Sequence, residues 1–266
     1  MKKLLALILA MILALSLAAC GDTGGQHSGD PTQRPSQEQN GPSPAESKDT
    51  EPIESNEPVE PAGKPYEITY QNAKVWTNSI GTTWVQTIVE ITNTSSKNLY
   101  LSSGSYDLED ADGKLVASQS LVSCYPSVLA PGEKGYMYEE TTLDNYDGDG
   151  NLTILPRPSI DTAKVDLIRY NVTDVTISDD RFSGVKVLGR VENATDEATD
   201  GMVYIAAFFY DVSGTPIGSA FTILMEDIEA GAKIGFELSG FSLPDDVTAD
   251  AVANTIVYAY PFQFQF

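Results

Sequence analysis

Histidine and cysteine are nearly missing from this chain: of its 266 residues one is a histidine, His27, and two are cysteines, Cys20 and Cys124. Beyond position 27 the chain therefore lacks the side chain that most often moves protons or ligates transition metals near neutral pH. Basic residues are scarce as well. Sixteen Lys and Arg stand against 38 Asp and Glu, a formal charge of -22, and the acidic excess runs along the whole chain. Such a surface repels nucleic acid and anionic headgroups, and favours cationic partners, divalent ions or simple solubility. A Gly-x-Ser-x-Gly elbow, a phosphate-binding glycine loop and a Cys-His arrangement are all lacking, so the chain reads as non-catalytic. Counting leaves a carboxylate pair for glycoside cleavage open, for example Glu139-Glu140 or Asp179-Asp180, without singling one out.

The one sustained apolar run, from Leu4 to Ser16, follows Lys2 and Lys3 and precedes Leu17-Ala18-Ala19-Cys20. It is too short for a membrane span. A basic start, an apolar middle and a small-residue cleavage site are the parts of a secretory signal. The Leu-Ala-Ala-Cys sequence closely resembles the lipobox of bacterial lipoproteins, which implies cleavage before Cys20 and a diacylglycerol thioether on its sulfur. The expected location is then the extracytoplasmic face of a bacterial cell membrane, with a mature charge near -24. With Cys20 consumed, Cys124 has no partner for an intramolecular disulfide, and the apolar stretch Leu121 to Pro126 reads as burying it as a small hydrophobe.

From Gly21 to Lys64 the chain is almost wholly small, polar or acidic residues and proline, with Ile53 and Val59 as nearly its only large apolar side chains. Such a segment cannot build a core and reads as a disordered tether. As a flexible coil it would span about 35 to 40 Å. The division expected is a signal peptide over 1–19, a lipidated cysteine and tether over 20–65, and two domains over 66–170 and 171–266.

Those domains are expected from an internal repeat. Tyr70 to Asn93 matches Tyr170 to Asn193 without a gap, Leu108 to Val116 matches Phe209 to Ile217 one residue further on, and Leu129 to Lys134 matches Ile228 to Lys233. Each copy is a series of short runs rich in Val, Ile, Thr, Tyr and Phe, parted by Gly, Asp, Asn and Pro, the pattern of an antiparallel sandwich. Val85, Thr87, Val89 and Ile91, and again Val185, Val187, Gly189 and Val191, alternate with other residues and are expected to face inward. Asp112-Gly113 and Ser213-Gly214 offer the positive φ of tight turns. The fold class expected is all-β, two tandem immunoglobulin-like sandwiches. The best helical candidate is a short turn over 243–251, capped by Ser242 or Asp245.

In the second copy, Val187 to Asn193, Ala206 to Gly218 and Ile228 to Phe236 together resemble the bacterial FxLYD domain, over about 80 residues. Ala207 stands where the motif name has Phe, and Phe209 where it has Leu. The resemblance implies an immunoglobulin-like fold and an envelope setting, with no catalytic residues to carry over.

Matching Tyr170 with Tyr260 leaves the first copy about nine residues longer than the second, and the surplus falls on Asp144 to Asn151. Asp144, Asp147, Asp149 and Asn151 place oxygen ligands among glycines, as a calcium loop requires. An EF-hand register from Asn145 puts Pro156 where its bidentate Glu belongs, leaving a calcium loop of another type or a polar hairpin tip. No other cofactor is called for. All thirteen tyrosines, with Trp76 and Trp84, lie beyond the tether, to fill cores or line a sugar-binding face. The alternating end Tyr258 to Phe266 reads as a strand with one buried face, and any exposed edge there would suit β-addition by a partner. The functional expectation is a lipid-anchored binding or adhesion module for an envelope or extracellular protein or glycan. The alternatives are an accessory subunit of an envelope complex and a calcium-dependent binder.

Overall fold

The computed structural model describes residues 63–144, 146–180, 184–199, 201–240 and 243–265. The expected signal, Cys20, His27, nearly all of the expected tether and the cap candidate Ser242 lie outside them. Fourteen strands follow in chain order. The first eight are β1 (Tyr66–Thr77), β2 (Thr83–Asn93), β3 (Leu99–Glu109), β4 (Leu115–Val122), β5 (Cys124–Tyr125), β6 (Val128–Leu129), β7 (Lys134–Thr142) and β8 (Thr153–Thr162). After the connection 163–170 come β9 (Asn171–Asp180), β10 (Gly184–Glu192), β11 (Val203–Tyr210), β12 (Pro216–Leu224), β13 (Lys233–Ser239) and β14 (Asn254–Pro261). The molecule is all-β and every pairing is antiparallel. Among the described residues the only helical turn is a 3-10 turn, Ala249–Ala251, whose N-cap Thr248 makes no side-chain capping bond. The rest of the proposed helical stretch is not helical, because Leu243 and Val247 are drawn into the core.

Strand period decides which side chains meet. A first sheet, β1-β2-β7-β5, turns Val85, Val89 and Ile91 onto Leu99, Tyr106, Leu108 and Ile154 of a second sheet, in which β3 lies between β4 and β8. A third sheet, β13-β10-β9, turns Val185, Val187, Val191 and Leu238 onto Ile205, Ala207, Phe209 and Ala259 of a fourth, β12-β11-β14. Each pair encloses its own apolar core, as sandwich packing requires. Cys124 is buried in the first core with its Sγ 3.8 Å from the Val122 carbonyl, and burial pushes its thiol up to about 12.

The repeat is visible bond for bond at two places. Asp110 Oδ1 accepts the Asp112 and Lys114 N–H groups at 3.0 and 2.9 Å in the β3–β4 turn, and Asp211 Oδ1 accepts those of Ser213 and Thr215 at 2.8 and 2.9 Å in the β11–β12 turn. Gly113 and Gly214 take φ of 76° and 80° there, a region closed to most side chains. Asn93 is buried and donates to the carbonyls of Lys97 and Leu129 at 2.8 and 3.1 Å; Asn193 donates to those of Glu197 and Ile228 at 2.7 and 2.8 Å. Each closes the bottom of its sandwich, tying three segments through one amide.

The gapless match over the first hairpin does not hold. Val85 pairs with Val75, but Val185 pairs with Asp179, and Ile91 and Val191 pair with Ile68 and Val172. The first strands therefore correspond at a shift near 104, and Tyr170 is the counterpart of Tyr66, not Tyr70. Alternating apolar residues look alike at any even slip, so the sequence could not fix this register.

The first and fourth sheets also meet, through the faces that point away from the two cores. Along β2, Gln86, Ile88 and Glu90 are buried as fully as the inward residues between them. Beside them, Tyr136 of β7 packs with Ala206, Phe208 and Tyr210 of β11 and Tyr260 of β14. Tyr136 stacks on Phe208 with ring centroids 3.8 Å apart. A polar chain crosses this seam: the Tyr136 hydroxyl bonds that of Tyr210, which donates to Glu90 Oε2 at 3.3 Å, while Thr69 Oγ1 and Lys134 Nζ each reach Glu90 Oε1 at 2.8 Å. Arg169, from the connection, bonds the Val128 carbonyl and the Glu133 carboxylate and lies over the rings of Tyr258 and Tyr260.

Candidate functional site

The acidic stretch proposed for calcium lies in the loop 143–152 between β7 and β8. Its counterpart, 240–253 between β13 and β14, is the longer of the two, so Asp144 to Asn151 is not an insertion. The surplus arises because 165–170 resembles 255–260 in its alternation yet is no strand. The counterpart of β14 is β8, since Glu109 pairs with Thr153 as Tyr210 pairs with Asn254. Asp149 spends its carboxylate locally, accepting the Asn151 N–H at 2.9 Å and Asn151 Nδ2 at 2.8 Å, bonds that hold its carboxyl below the usual range. Tyr146 packs against the first core and its hydroxyl accepts the Gly150 N–H at 3.0 Å. Among the described residues no three Asp, Glu, His or Cys side chains come together to hold a metal ion. Asp144, Asp147 and Asp149 line an acidic groove of about 650 Å³ shared with Asp110 and Asp112; Asn145 lies outside the described residues.

A second cleft, of about 400 Å³, opens where the two sandwiches meet. Its first wall is the part of β7 beyond the reach of β5, with Tyr138, Glu139 and Glu140, beside Ser123 and Tyr125; its second is Ser219, Ala220 and Phe221 of β12 with Ser239 of β13. Gln86 Nε2 donates to the Tyr138 hydroxyl at 3.0 Å, and that hydroxyl donates to Glu140 Oε1. Burial pushes the Glu140 carboxyl up to about 7, more than the bonds from Tyr138 and Gln86 bring it down, and burial raises Glu139 as well. None of the lining residues is Lys or Arg. Phe221 remains about half exposed beside Tyr125, their ring centroids 5.6 Å apart. Of the two carboxylate pairs legible in the sequence, Glu139-Glu140 lines this cleft. Asp179 and Asp180 are engaged elsewhere: Asp179 Oδ1 accepts the Ala249 N–H at 2.7 Å and Asp180 pairs with Lys186 at 3.4 Å.

A smaller hollow of about 180 Å³ lies further along the seam, under the end of the chain. β14 ends at Pro261, which lacks the N–H a further ladder bond needs, and residues 262–265 leave the sheet. Phe262 stacks on Tyr204 at 5.2 Å and meets Phe264 edge-on at 4.2 Å, with Phe264 mostly exposed. Gln263 and Gln265 hold the segment to the first sandwich through Tyr100, Thr162 and the Lys164 N–H. The alternation therefore describes a buried face as far as Tyr260 and a surface aromatic row after it. Trp76 and Trp84 belong to neither core. They form a cross-strand pair at the tip of the β1–β2 hairpin, ring centroids 6.3 Å apart.

The seam was missed from sequence, although β2 carries its signal: Gln86, Ile88 and Glu90 alternate with Val85, Thr87 and Val89, and only an apolar Ile among polar neighbours hinted that both faces are covered. No protein-family model matches the chain, and comparison with curated proteins finds no match.

Proposed function

We propose that this chain is a lipid-anchored surface protein of the bacterial envelope, held by a diacylglycerol on Cys20, that works by binding an envelope or extracellular protein or glycan without transforming it. The observation that carries the reading is the seam cleft, because a pocket where two domains join is a common seat for a ligand. Its walls come from both sandwiches, so neither half has it alone. The FxLYD likeness of the second copy supports the envelope setting, and the tether gives the folded part reach from a membrane. Glu140 is committed to Tyr138 rather than aimed with a second carboxylate at a common point, which suits recognition better than acid-base cleavage.

Two measurements test the two parts. Metabolic labelling with a fatty acid should mark the wild-type chain and not C20S, with the C20S protein released from membranes; equal labelling of both would refute the anchor. The full chain in detergent should be retained saturably by isolated cell-envelope material, with retention falling at least fivefold in F221A. Retention that is unsaturable, or identical in F221A, would refute the cleft as the binding surface.

A further inference from the structure

We infer that the seam cleft takes an organic cation, a primary alkylammonium about the size of a lysine side chain, seated between the Glu140 carboxylate and the ring of Phe221, with Glu139 adding negative charge at the rim. The inference rests on the cleft being a binding surface, as proposed above, and adds the chemistry of what it binds. Three observations carry it.

First, the carboxylates lack a positive partner. Several of the described cations are paired elsewhere: Lys74 with Asp246, Lys134 with Glu90, Arg157 with Asp107, Arg169 with Glu133 and Lys233 with Glu192. Among the described residues no ion pair reaches Glu139 or Glu140. Second, the opposite wall is aromatic and left half open. A ring face attracts a cation through its quadrupole, and more strongly where water is excluded. Phe221, braced by Tyr125, offers such a face across from the carboxylates. Third, the size fits. A cleft of about 400 Å³ lies in the range of small-ligand sites, and its serines, Ser123, Ser219 and Ser239, supply oxygens for the remaining N–H bonds of an ammonium group.

Binding has a proton signature. Around Glu140 the titratable groups are Tyr138 and Glu139 on its own strand and Tyr125 on β5; Gln86 on β2 and the residues of β12 and β13 that line the cleft carry no charge. The carboxyl raised by burial is partly protonated near neutral pH, and an arriving ammonium favours the ionised form. Affinity therefore rises between pH 6 and pH 8, and binding near pH 6.5 releases a proton.

The test is calorimetric titration of the full chain in detergent with 1,5-diaminopentane at 150 mM NaCl, beside the neutral analogue 1,5-pentanediol. Saturable binding of the diamine, none of the diol, at least tenfold loss in both E140Q and F221A, and heats at pH 6.5 that vary with buffer ionisation enthalpy are expected. E67Q, at an exposed position of β1 on the far edge of the first sheet, should bind as wild type, which separates a site from diffuse attraction to an acidic protein. Diol binding equal to diamine, wild-type affinity in E140Q and F221A, or no saturable heat at either pH would overturn the inference. In the last case envelope retention that still depends on Phe221 would leave the binding function standing without its cation.

Discussion

At the scale of single residues, burial changes what a polar group does. Asn93 and Asn193 each sit in an Asn-x-Ser/Thr triplet, which in a secreted chain reads as a sugar acceptor. Burial excludes that, for each amide is spent on two carbonyls while its oxygen takes Ser95 or Thr195. Asn193→Ala removes one of two donors from each of the Glu197 and Ile228 carbonyls, which keep Thr195 Oγ1 and the Thr199 N–H, together with the acceptor for Thr195, and should cost about 1 to 3 kcal/mol, read as a lower urea midpoint with an unchanged slope; a midpoint within error of wild type would show the bonds to be dispensable. Glu140 makes the second residue-scale prediction. Its folded carboxyl is raised to about 7, so the native state holds a proton the unfolded chain has given up. The stability this brings is complete below about pH 4.5 and is lost as pH climbs through 7. E140Q should unfold like wild type at pH 4.5 and be the more stable at pH 8, by up to about 2 kcal/mol after allowing for partial exposure. Equal stability of the two proteins at both pH values would place Glu140 in ordinary solvent.

At the scale of elements, the same turn and the same plug recur because the local sequence specifies them, while the strand faces need tertiary neighbours. Gly189 illustrates this. It occupies an inward position of β10, where alternation calls for an apolar side chain, because the Phe236 ring fills that space: a Cβ at 189 would stand 2.4 Å from the ring tip. Gly104 has a similar conflict with the end of Met137, at 2.3 Å. A thioether chain has three rotatable bonds to yield with, and a ring wedged in a core has few. Gly189→Ala should therefore cost about 2 to 3 kcal/mol and Gly104→Ala about 1, both read by thermal unfolding. The reverse order would mean that the ring of Phe236 moves more freely than the packing allows.

At the scale of the whole molecule, the choice of which faces meet follows from their chemistry. The outward faces of the first and fourth sheets carry Tyr125, Tyr136, Phe208 and Tyr260, and they pack. The outward face of the third carries Lys186 paired with Glu237, Arg190 with Asp174 and Lys233 with Glu192, a solvated face that stops the stack at two sandwiches. Phe208 is wholly buried at the seam. Wild type should melt in one cooperative transition, and Phe208→Ala, which removes about 3 to 5 kcal/mol of packing, should separate two transitions and broaden the interdomain distances seen by scattering. One sharp transition in Phe208→Ala would place the coupling in the connection 163–170 instead. The coupling of the two sandwiches runs through sheet faces, with Arg169 adding a clamp from the connection itself.

The sequence by itself determined the all-β class, the inward alternation of β2 and β10, the two glycine turns and the buried Cys124, because each depends on residues close along the chain or on a period of two. Only the tertiary structure decided the register of the first hairpins, the true counterpart of β14, the groove that the loop aspartates share with Asp110 and Asp112, and the seam. Those depend on which surfaces stand opposite one another after folding. Glu139-Glu140 and Asp179-Asp180 read alike in the chain, and one pair lines a cleft only because β12 of the second sandwich comes to lie across from β7 of the first.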